Sequence, residues 1–295
     1  MRTVYLGTSE FAAAVLDALA QSPHRPALVI TRPDRPRGRG RRLASPPVAD
    51  SARRLGIELD QSESVNSPQA RARIAAAEPD AVCVCAFGAL IKEPLLSEHE
   101  MLNVHPSLLP RWRGAAPVER AIMAGDELTG VSIMRLTAGL DSGPVCLQAQ
   151  EEIGPTDTYG TLAARLEELG AALLIEALDT HPDCSEQDQA GVTYAEKLSP
   201  EDRLLDGARP AVELERRVRA LSPHIGAALE LADGTRLGVW EARAVDQAGP
   251  APGELSLSGS LPVLGCAQGS LELIVVQPAG RRAMAGAEYL RGRRS

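Results

Sequence analysis

No stretch of this chain stays apolar long enough to cross a bilayer. The longest run, Ala81 to Ile91, is 11 residues, against roughly 20 for a membrane helix. Met1-Arg2-Thr3 leads directly into a strand-like segment, without the apolar core and cleavage site of a secretory leader. The expectation is a soluble, cytoplasmic protein with no membrane partner. Lysine is nearly missing: only Lys92 and Lys197 stand among 31 basic residues, so the abundance of arginine carries no argument and only its position can. Cysteine is sparse and odd in number. Cys83, Cys85, Cys146, Cys184 and Cys266 contain no CxxC pair, and small buried thiols in a reducing compartment are expected. The histidines are scattered, so no metal site is expected. Walker A, G-x-S-x-G and HExxH signatures are absent, and there is no internal repeat. Gly7 to Ala12 stands where a dinucleotide-binding fold carries GxGxxG, but Ser9 and Ala12 replace the second and third glycines. That argues against a nicotinamide enzyme.

What is present is a chain of 295 residues, 44% hydrophobic and 24% charged, ordinary for a globular protein with a core of its own. The net charge of −8 is unevenly spread. Arg32–Arg42 carries six arginines against Asp34, and Arg281–Ser295 carries five against Glu288. These blocks hold +5 and +4, so the remaining residues sum to −17. Basic blocks on an acidic body suggest local anion-binding patches rather than a uniformly sticky surface.

The apolar patterning alternates strand and helix. Strands are expected at Val4–Leu6, Ala27–Thr31, Ile57–Leu59, Ala81–Ala86, Leu102–His105, Val131–Leu136 and Val145–Glu152. Helices are expected at Glu10–Gln21, Val48–Leu55, Pro68–Ala77 and Tyr159–Leu178, with an irregular stretch over Arg32–Pro47. This order predicts an α/β fold with a Rossmann-like, mostly parallel sheet. Beyond Thr180 the character changes. A polar stretch leads to a charged helix (Pro210–Leu221) and five short strands split by Asp-Gly and Pro-Gly turns, the pattern of a small OB-like β-barrel. The expected division is a catalytic domain over 1–180, a linker over 181–203 and a C-terminal domain over 204–295.

Polar residues within apolar surroundings carry the chemistry. On a strand, Asn103 and His105 project from one face, two residues apart. An amide donor beside an imidazole can stabilise an oxyanion and move a proton, as acyl-type transfer requires. A hydrogen-bonded strand end without chemistry accounts for the same two residues equally well. Asp141, in the Gly-flanked loop Gly139–Gly143, is placed to meet such an imidazole. It could also be a turn aspartate satisfying its own backbone.

The segments NVHPSLLPRWRG (103–114), GVSIM (130–134) and GLDSG (139–143) resemble the formyltransferases that use 10-formyltetrahydrofolate. GTSEFA (7–12), TRPDRPRGRGRRL (31–43), VTYAEKLS (192–199) and VQPAG (276–280) extend the resemblance over nearly the whole chain, toward the branch that formylates methionyl-tRNA. The resemblance implies the formyltransferase fold and a catalytic set of Asn103, His105 and Asp141. Asn103 and protonated His105 would stabilise the oxyanion, and Asp141 would orient His105 and assist proton removal. It implies 10-formyltetrahydrofolate as co-substrate, lying along Phe87, Gly88, Leu90 and Ile91 and the loop Ser107-Leu108-Leu109-Pro110. It implies initiator methionyl-tRNA as partner, held by Arg35, Arg37, Arg39, Arg41 and Arg42, with the Arg216-Arg217-Arg219 helix and the basic tail on the tRNA stem. A monomer is expected. Formyl transfer to an amino-sugar nucleotide, hydrolysis of the formyl-folate and a non-catalytic RNA-binding role are the alternatives; the Arg32–Arg42 block argues against the first two.

Overall fold

A computed structural model describes residues 1–37, 42–247 and 249–294. The chain divides into two compact units. Met1–Pro117, Leu128–Glu152 and Ala163–Ala195 form the first; Val118–Glu127, Ile153–Leu162 and Glu196–Ser295 form the second. The stretch 181–195, expected as linker, therefore belongs to the first unit.

In chain order the elements are β1 (Thr3–Gly7), α1 (Glu10–Leu19), β2 (Pro26–Ile30), β3 (Arg35–Arg37), β4 (Arg42–Ala44), α2 (Pro47–Leu55), β5 (Glu58–Asp60), α3 (Pro68–Ala76), β6 (Ala81–Cys85), α4 (Leu95–Glu98) and β7 (Met101–His105). They continue through β8 (Arg113–Gly114), α5 (Pro117–Ala124), β9 (Leu128–Arg135), β10 (Val145–Glu152), α6 (Tyr159–Thr180) and β11 (Tyr194–Ala195). The C-terminal part adds α7 (Ala211–Leu221), β12 (Ala227–Glu230), β13 (Arg236–Val245), β14 (Leu255–Ser256), β15 (Val263–Gly265), β16 (Ser270–Gln277), β17 (Met284–Ala285) and α8 (Gly286–Arg294).

Local chemistry sets several boundaries. The Ser9 and Ser67 hydroxyls accept from the Ala12 and Ala70 amides and so cap α1 and α3. Pro47 opens α2, and Gly56, at φ +66°, ends it in the left-handed conformation. The first unit is built on a seven-stranded sheet in the order β10-β9-β7-β6-β1-β2-β5. Strands β5, β2, β1, β6 and β7 run parallel, while β9 and β10 pair antiparallel at one edge. All five residues of β1, β6 and β7 are buried, which is why they read as apolar runs rather than as alternation. Val4, Leu6, Leu28, Ile30, Val82, Val84 and Met101 form one apolar layer. The chain steps from β1 outward to β2 and later returns to β6 on the other side. That reversal of strand order falls between β1 and β6, and α/β folds bind ligands at the carboxyl ends of the strands beside such a reversal.

Two expectations are corrected. The stretch Arg32–Pro47 is not wholly irregular: among its described residues β3 and β4 pair antiparallel, with Arg35 facing Ala44 and Arg37 facing Arg42. Its arginine and proline content hides the strand pattern. The cysteines are not all thiols, since Cys146 and Cys184 form a disulfide. A backbone bridge between Val145 and Ser185 brings the start of β10 beside the 181–187 stretch, and no spacing in the sequence signals that approach. Cys83, Cys85 and Cys266 are free and buried, and burial pushes the Cys83 and Cys85 thiols up to about 12.

The second unit contains an antiparallel sheet in the order β12-β13-β16-β15-β14, with β17 on β16. Helix α7 buries Leu214, Val218 and Leu221 in a core shared with Leu237, Val239, Leu271 and Leu273. Two of the three arginines of α7 expected to face RNA, Arg217 and Arg219, are occupied inside this unit. Arg217 Nη1 donates to the carbonyls of Asp202 and Leu204 at 3.2 Å and of Glu201 at 3.4 Å. Arg219 Nη1 donates to the Asp157 carbonyl at 2.7 Å. Burial lowers the pKa of both guanidiniums. Arg217→Met is therefore expected to cost about 1–3 kcal/mol in urea unfolding of the full chain. Unchanged stability would mean that these bonds to carbonyls carry no load.

Candidate active site

The site grows from the end of β7. Leu102 and Val104 point to one face of the sheet, where Val104 lies against Gly170 of α6 so closely that a Cβ there would come within 2.9 Å. Asn103 and His105 point to the other face. They continue the layer of Val82, Val84 and Met101, so an apolar surface ends in two polar side chains. Both are almost fully buried, at 8% and 4% exposure.

His105 is held through one nitrogen. Its Nε2 lies 2.9 Å from the Trp112 carbonyl oxygen. Since that oxygen can only accept, the proton sits on Nε2 and Nδ1 is left for chemistry. Nδ1 lies 3.7 Å from Asp141 Oδ2, within range for an ion pair but beyond a hydrogen bond. The structure thus brings Asn103, His105 and Asp141 into one place, and gives the orienting of His105 to Trp112 rather than to Asp141 alone. Asn103 makes no side-chain hydrogen bond among the described residues, so its amide is free to meet a ligand.

Asp141 is fixed through several bonds. Its Oδ2 accepts from the Gly114 amide at 2.8 Å. Its backbone is in the left-handed region at φ +43°, and Trp112 is likewise at +63°, conformations that non-glycine residues adopt only when their surroundings impose them. The second strap is β11, which pairs parallel with β8. The Thr193 hydroxyl accepts from the Trp112 amide at 2.9 Å, and the Thr193 and Ala195 carbonyls accept from Arg113 and Ala115. Gly114, at φ +125°, approaches the Ala195 carbonyl oxygen so closely that a Cβ would lie 2.6 Å from it.

The loop Ser107–Pro110 is pinned from β9 and β10. Ser132, opposite His105 in the β7–β9 register, donates its hydroxyl to the Ser107 carbonyl at 2.6 Å and accepts from the Leu109 amide at 3.1 Å. Gln148 Nε2 donates to Ser132 Oγ and to the Leu109 carbonyl, both at 2.8 Å. Ser107 is fully buried and its hydroxyl donates to the Arg111 carbonyl. Leu109 is buried, while Leu108 and Pro110 remain half-exposed.

The other expected ligand segment is split. Phe87 and Ile91 pack into the core layer of β1, β2 and β6, at 4% and 7% exposure. Leu90 is 66% exposed, and Gly88 turns the chain at φ +72°. Thr8, Arg32 and Asn66 donate to the carbonyls of Phe87, Gly88 and Leu90. These three bonds stiffen the backbone of the segment.

Of the expected anion-binding arginines, Arg35 is exposed at the start of the hairpin, and Arg37 and Arg42 pair across it. Arg39 and Arg41 lie outside the described residues. Among the described residues no group of three or more His, Cys, Asp or Glu could hold a metal ion. Sequence reasoning missed Trp112, Ser132, Gln148 and Thr193. Ser132 could have been found as the polar member of a buried apolar strand; the others lie in coil or at an edge, where polar residues are ordinary.

An unbonded amide, a carbonyl-held imidazole and a carboxylate thus meet at the carboxyl end of a parallel sheet, an arrangement able to support group transfer. A family model described as formyl transferase matches residues 1–178, and one described as formyl transferase, C-terminal domain, matches residues 197–294. The chain belongs to the formyl transferase family. Curated relatives include a methionyl-tRNA formyltransferase from Methylococcus capsulatus, 42% identical over 98% of this chain and 96% of that protein. Another, from Xanthomonas campestris pv. campestris, is 45% identical over 100% of this chain and 98% of that protein. Among solved structures, HypX from Aquifex aeolicus in complex with tetrahydrofolic acid shares the fold at a TM-score of 0.67 and 17% identity. That match covers 98% of this chain but only 47% of the longer protein. The sugar 3N-formyltransferase WlaRD matches at a TM-score of 0.67 and 14% identity, over 96% of this chain and 99% of that one.

Gly114→Ala is expected to destabilise the full chain by about 1–3 kcal/mol, the cost of strained backbone at one residue, in urea unfolding. A change below about 0.5 kcal/mol, the scatter of neutral surface substitutions, would show that the approach to Ala195 is not a constraint.

Proposed function

We propose that this chain transfers the formyl group of 10-formyltetrahydrofolate to the α-amino group of methionine esterified to initiator tRNA. The observation that carries this reading is an identity of 42–45% over essentially the whole chain to relatives named methionyl-tRNA formyltransferase. The co-substrate supplies the activated formyl group, and Leu90, Leu108 and the Ser107–Pro110 loop offer it a surface.

The remaining chemistry belongs to the chain's own residues. An α-amino group titrates near pH 8, so free amine is available for direct attack at neutral pH and no covalent enzyme intermediate is needed. As the amine nitrogen bonds to the formyl carbon, the formyl oxygen gains negative charge. Asn103 donates its free amide to that oxygen. His105 donates from a protonated Nδ1, the nitrogen not committed to Trp112. Asp141, 3.7 Å away, pairs with the imidazolium charge and accepts the proton released by the amine, through water. As the oxyanion collapses, the bond between the formyl carbon and the folate nitrogen breaks, and that proton passes to the departing nitrogen, releasing tetrahydrofolate. Burial of Asn103 and His105 strengthens each of these interactions relative to water.

Arg35, Arg37, Arg39, Arg41 and Arg42 engage the tRNA. Guanidiniums clustered along one short segment can fork onto phosphates. Transfer to an amino-sugar nucleotide, as for the sugar formyltransferase of the same fold, would use the same triad but leave this basic hairpin without a role.

The deciding experiment follows labelled formyl from 10-formyltetrahydrofolate with methionine-charged initiator tRNA and an amino-sugar nucleotide as competing acceptors. Label on the charged tRNA alone supports the reading; label on the sugar, or formate alone, overturns it. Asn103→Ala is expected to lower kcat by about 100- to 1000-fold, the usual loss for one oxyanion donor, with KM for the folate within a few-fold. Replacing Arg35, Arg37, Arg39, Arg41 and Arg42 together by alanine is expected to raise KM for the tRNA. It should also flatten the dependence of log KM on log salt by roughly 0.7 for each phosphate no longer neutralised, with KM for the folate unchanged.

A further inference from the structure

The GLDSG loop has one fastening outside the family's motifs. Gln187 is 7% exposed and lies in the coil between α6 and β11. Its Oε1 accepts from Arg113 Nε at 3.0 Å and Arg113 Nη2 at 2.8 Å. Its Nε2 donates to the carbonyls of Asp141 at 2.9 Å and Gly143 at 2.7 Å. A guanidinium only donates and a carbonyl only accepts, so one orientation of the amide satisfies all four bonds. No other side chain of this length both accepts from two donors and donates to two acceptors.

The consequence falls on Asp141. Its carboxylate is held by Gly114 N and its own carbonyl by Gln187, which is anchored in turn on Arg113, the neighbour of Gly114. The two bonds grip the left-handed residue from both ends, side chain and backbone. Gly143, the second carbonyl partner, has no room even for a Cβ, which would lie 1.9 Å from the Arg135 carbonyl. The loop is therefore closed at both points that Gln187 touches.

We propose that Gln187 is a positioning residue, which sets Asp141 at its working distance from His105. This rests on the role given to Asp141 under the proposed function. Gln187→Glu separates the two halves of the amide's work. The carboxylate still accepts from Arg113, so the buried guanidinium keeps a partner, but it has no protons to give the Asp141 and Gly143 carbonyls.

The test measures kcat, both KM values and Tm for the full-length wild type and Gln187→Glu by labelled formyl transfer. The expected result is a fall in kcat of about 10- to 100-fold, the usual scale for a misplacement near 1 Å. Both KM values should stay within two-fold and Tm within a few degrees. Gln187→Met, which also strips Arg113 of its acceptor, is expected to lower Tm as well as kcat. In the Asp141→Asn background, single-turnover transfer should show no further loss from Gln187→Glu, because the group being positioned is gone. A kcat within two-fold of wild type, a loss confined to KM, or full additivity with Asp141→Asn would each overturn the proposal. If the wild type formylates a different amine, only the acceptor assignment falls. The kcat loss is still expected with that amine, since the clamp acts on Asp141 and not on the acceptor.

Discussion

A buried imidazole has two nitrogens and can serve a reaction only if one is held while the other stays available. At His105 the holding group is a backbone carbonyl, that of Trp112, and the available nitrogen faces Asp141 without being bonded to it. Much of the surrounding structure exists to keep that carbonyl and that carboxylate in place. Trp112 points its carbonyl at the ring because its backbone is left-handed. It stays left-handed because Thr193 and β11 hold the flanking amides. The Thr193–Ala195 segment, more than 80 residues further along the chain, is thus part of the device that selects the tautomer of His105.

The same logic governs Asp141. A short carboxylate in a glycine-flanked loop would sample several positions. Here its side chain, its carbonyl and the carbonyl of Gly143 are all bonded, and the energetic cost of a positive φ at a non-glycine residue is met by those bonds. Preorganisation of this kind lets donors act on a developing charge without reorganising during the reaction. It also explains why the apolar layer of β1, β2 and β6 stops short of Asn103. The layer below is apolar and buried, and the Asn103 amide at its rim is left for a ligand.

The sheet was legible in the sequence because buried parallel strands read as unbroken apolar runs, and the Asn103–His105 pair because period-two geometry puts both on one face. Asp141 stood out as a carboxylate between glycines, and the resemblance joined it to the pair. The hairpin of β3 and β4 was hidden by arginine, proline and glycine, which mask the strand pattern. The Cys146–Cys184 bridge and the Gln187 clamp were illegible for one reason. Each joins segments whose neighbourhood is set by where the 181–195 stretch crosses the first unit, and no local pattern encodes that path. The inward turn of Phe87 and Ile91 follows from their place in the core layer, which an apolar segment at a strand end does not reveal by itself.

Arginine shows how far composition can mislead. In a chain with two lysines, guanidiniums take on tasks that lysine cannot share, because one planar group can reach several carbonyls at once. Arg32 is committed to Gly88, Arg113 to Gln187, Arg217 to three carbonyls and Arg219 to one. These are structural bonds inside two basic-looking blocks and one buried loop. Of the three arginines of α7, two have their donors committed to carbonyls and so offer fewer hydrogen bonds to an anion than the sequence suggests. The hairpin differs in kind: Arg35 is exposed, and the block around it carries a single acidic residue, Asp34, itself engaged by Gln61. An anion-binding surface needs guanidiniums that no carbonyl has claimed; Arg35 meets that criterion among the described residues, whereas Arg217 and Arg219 of α7 do not.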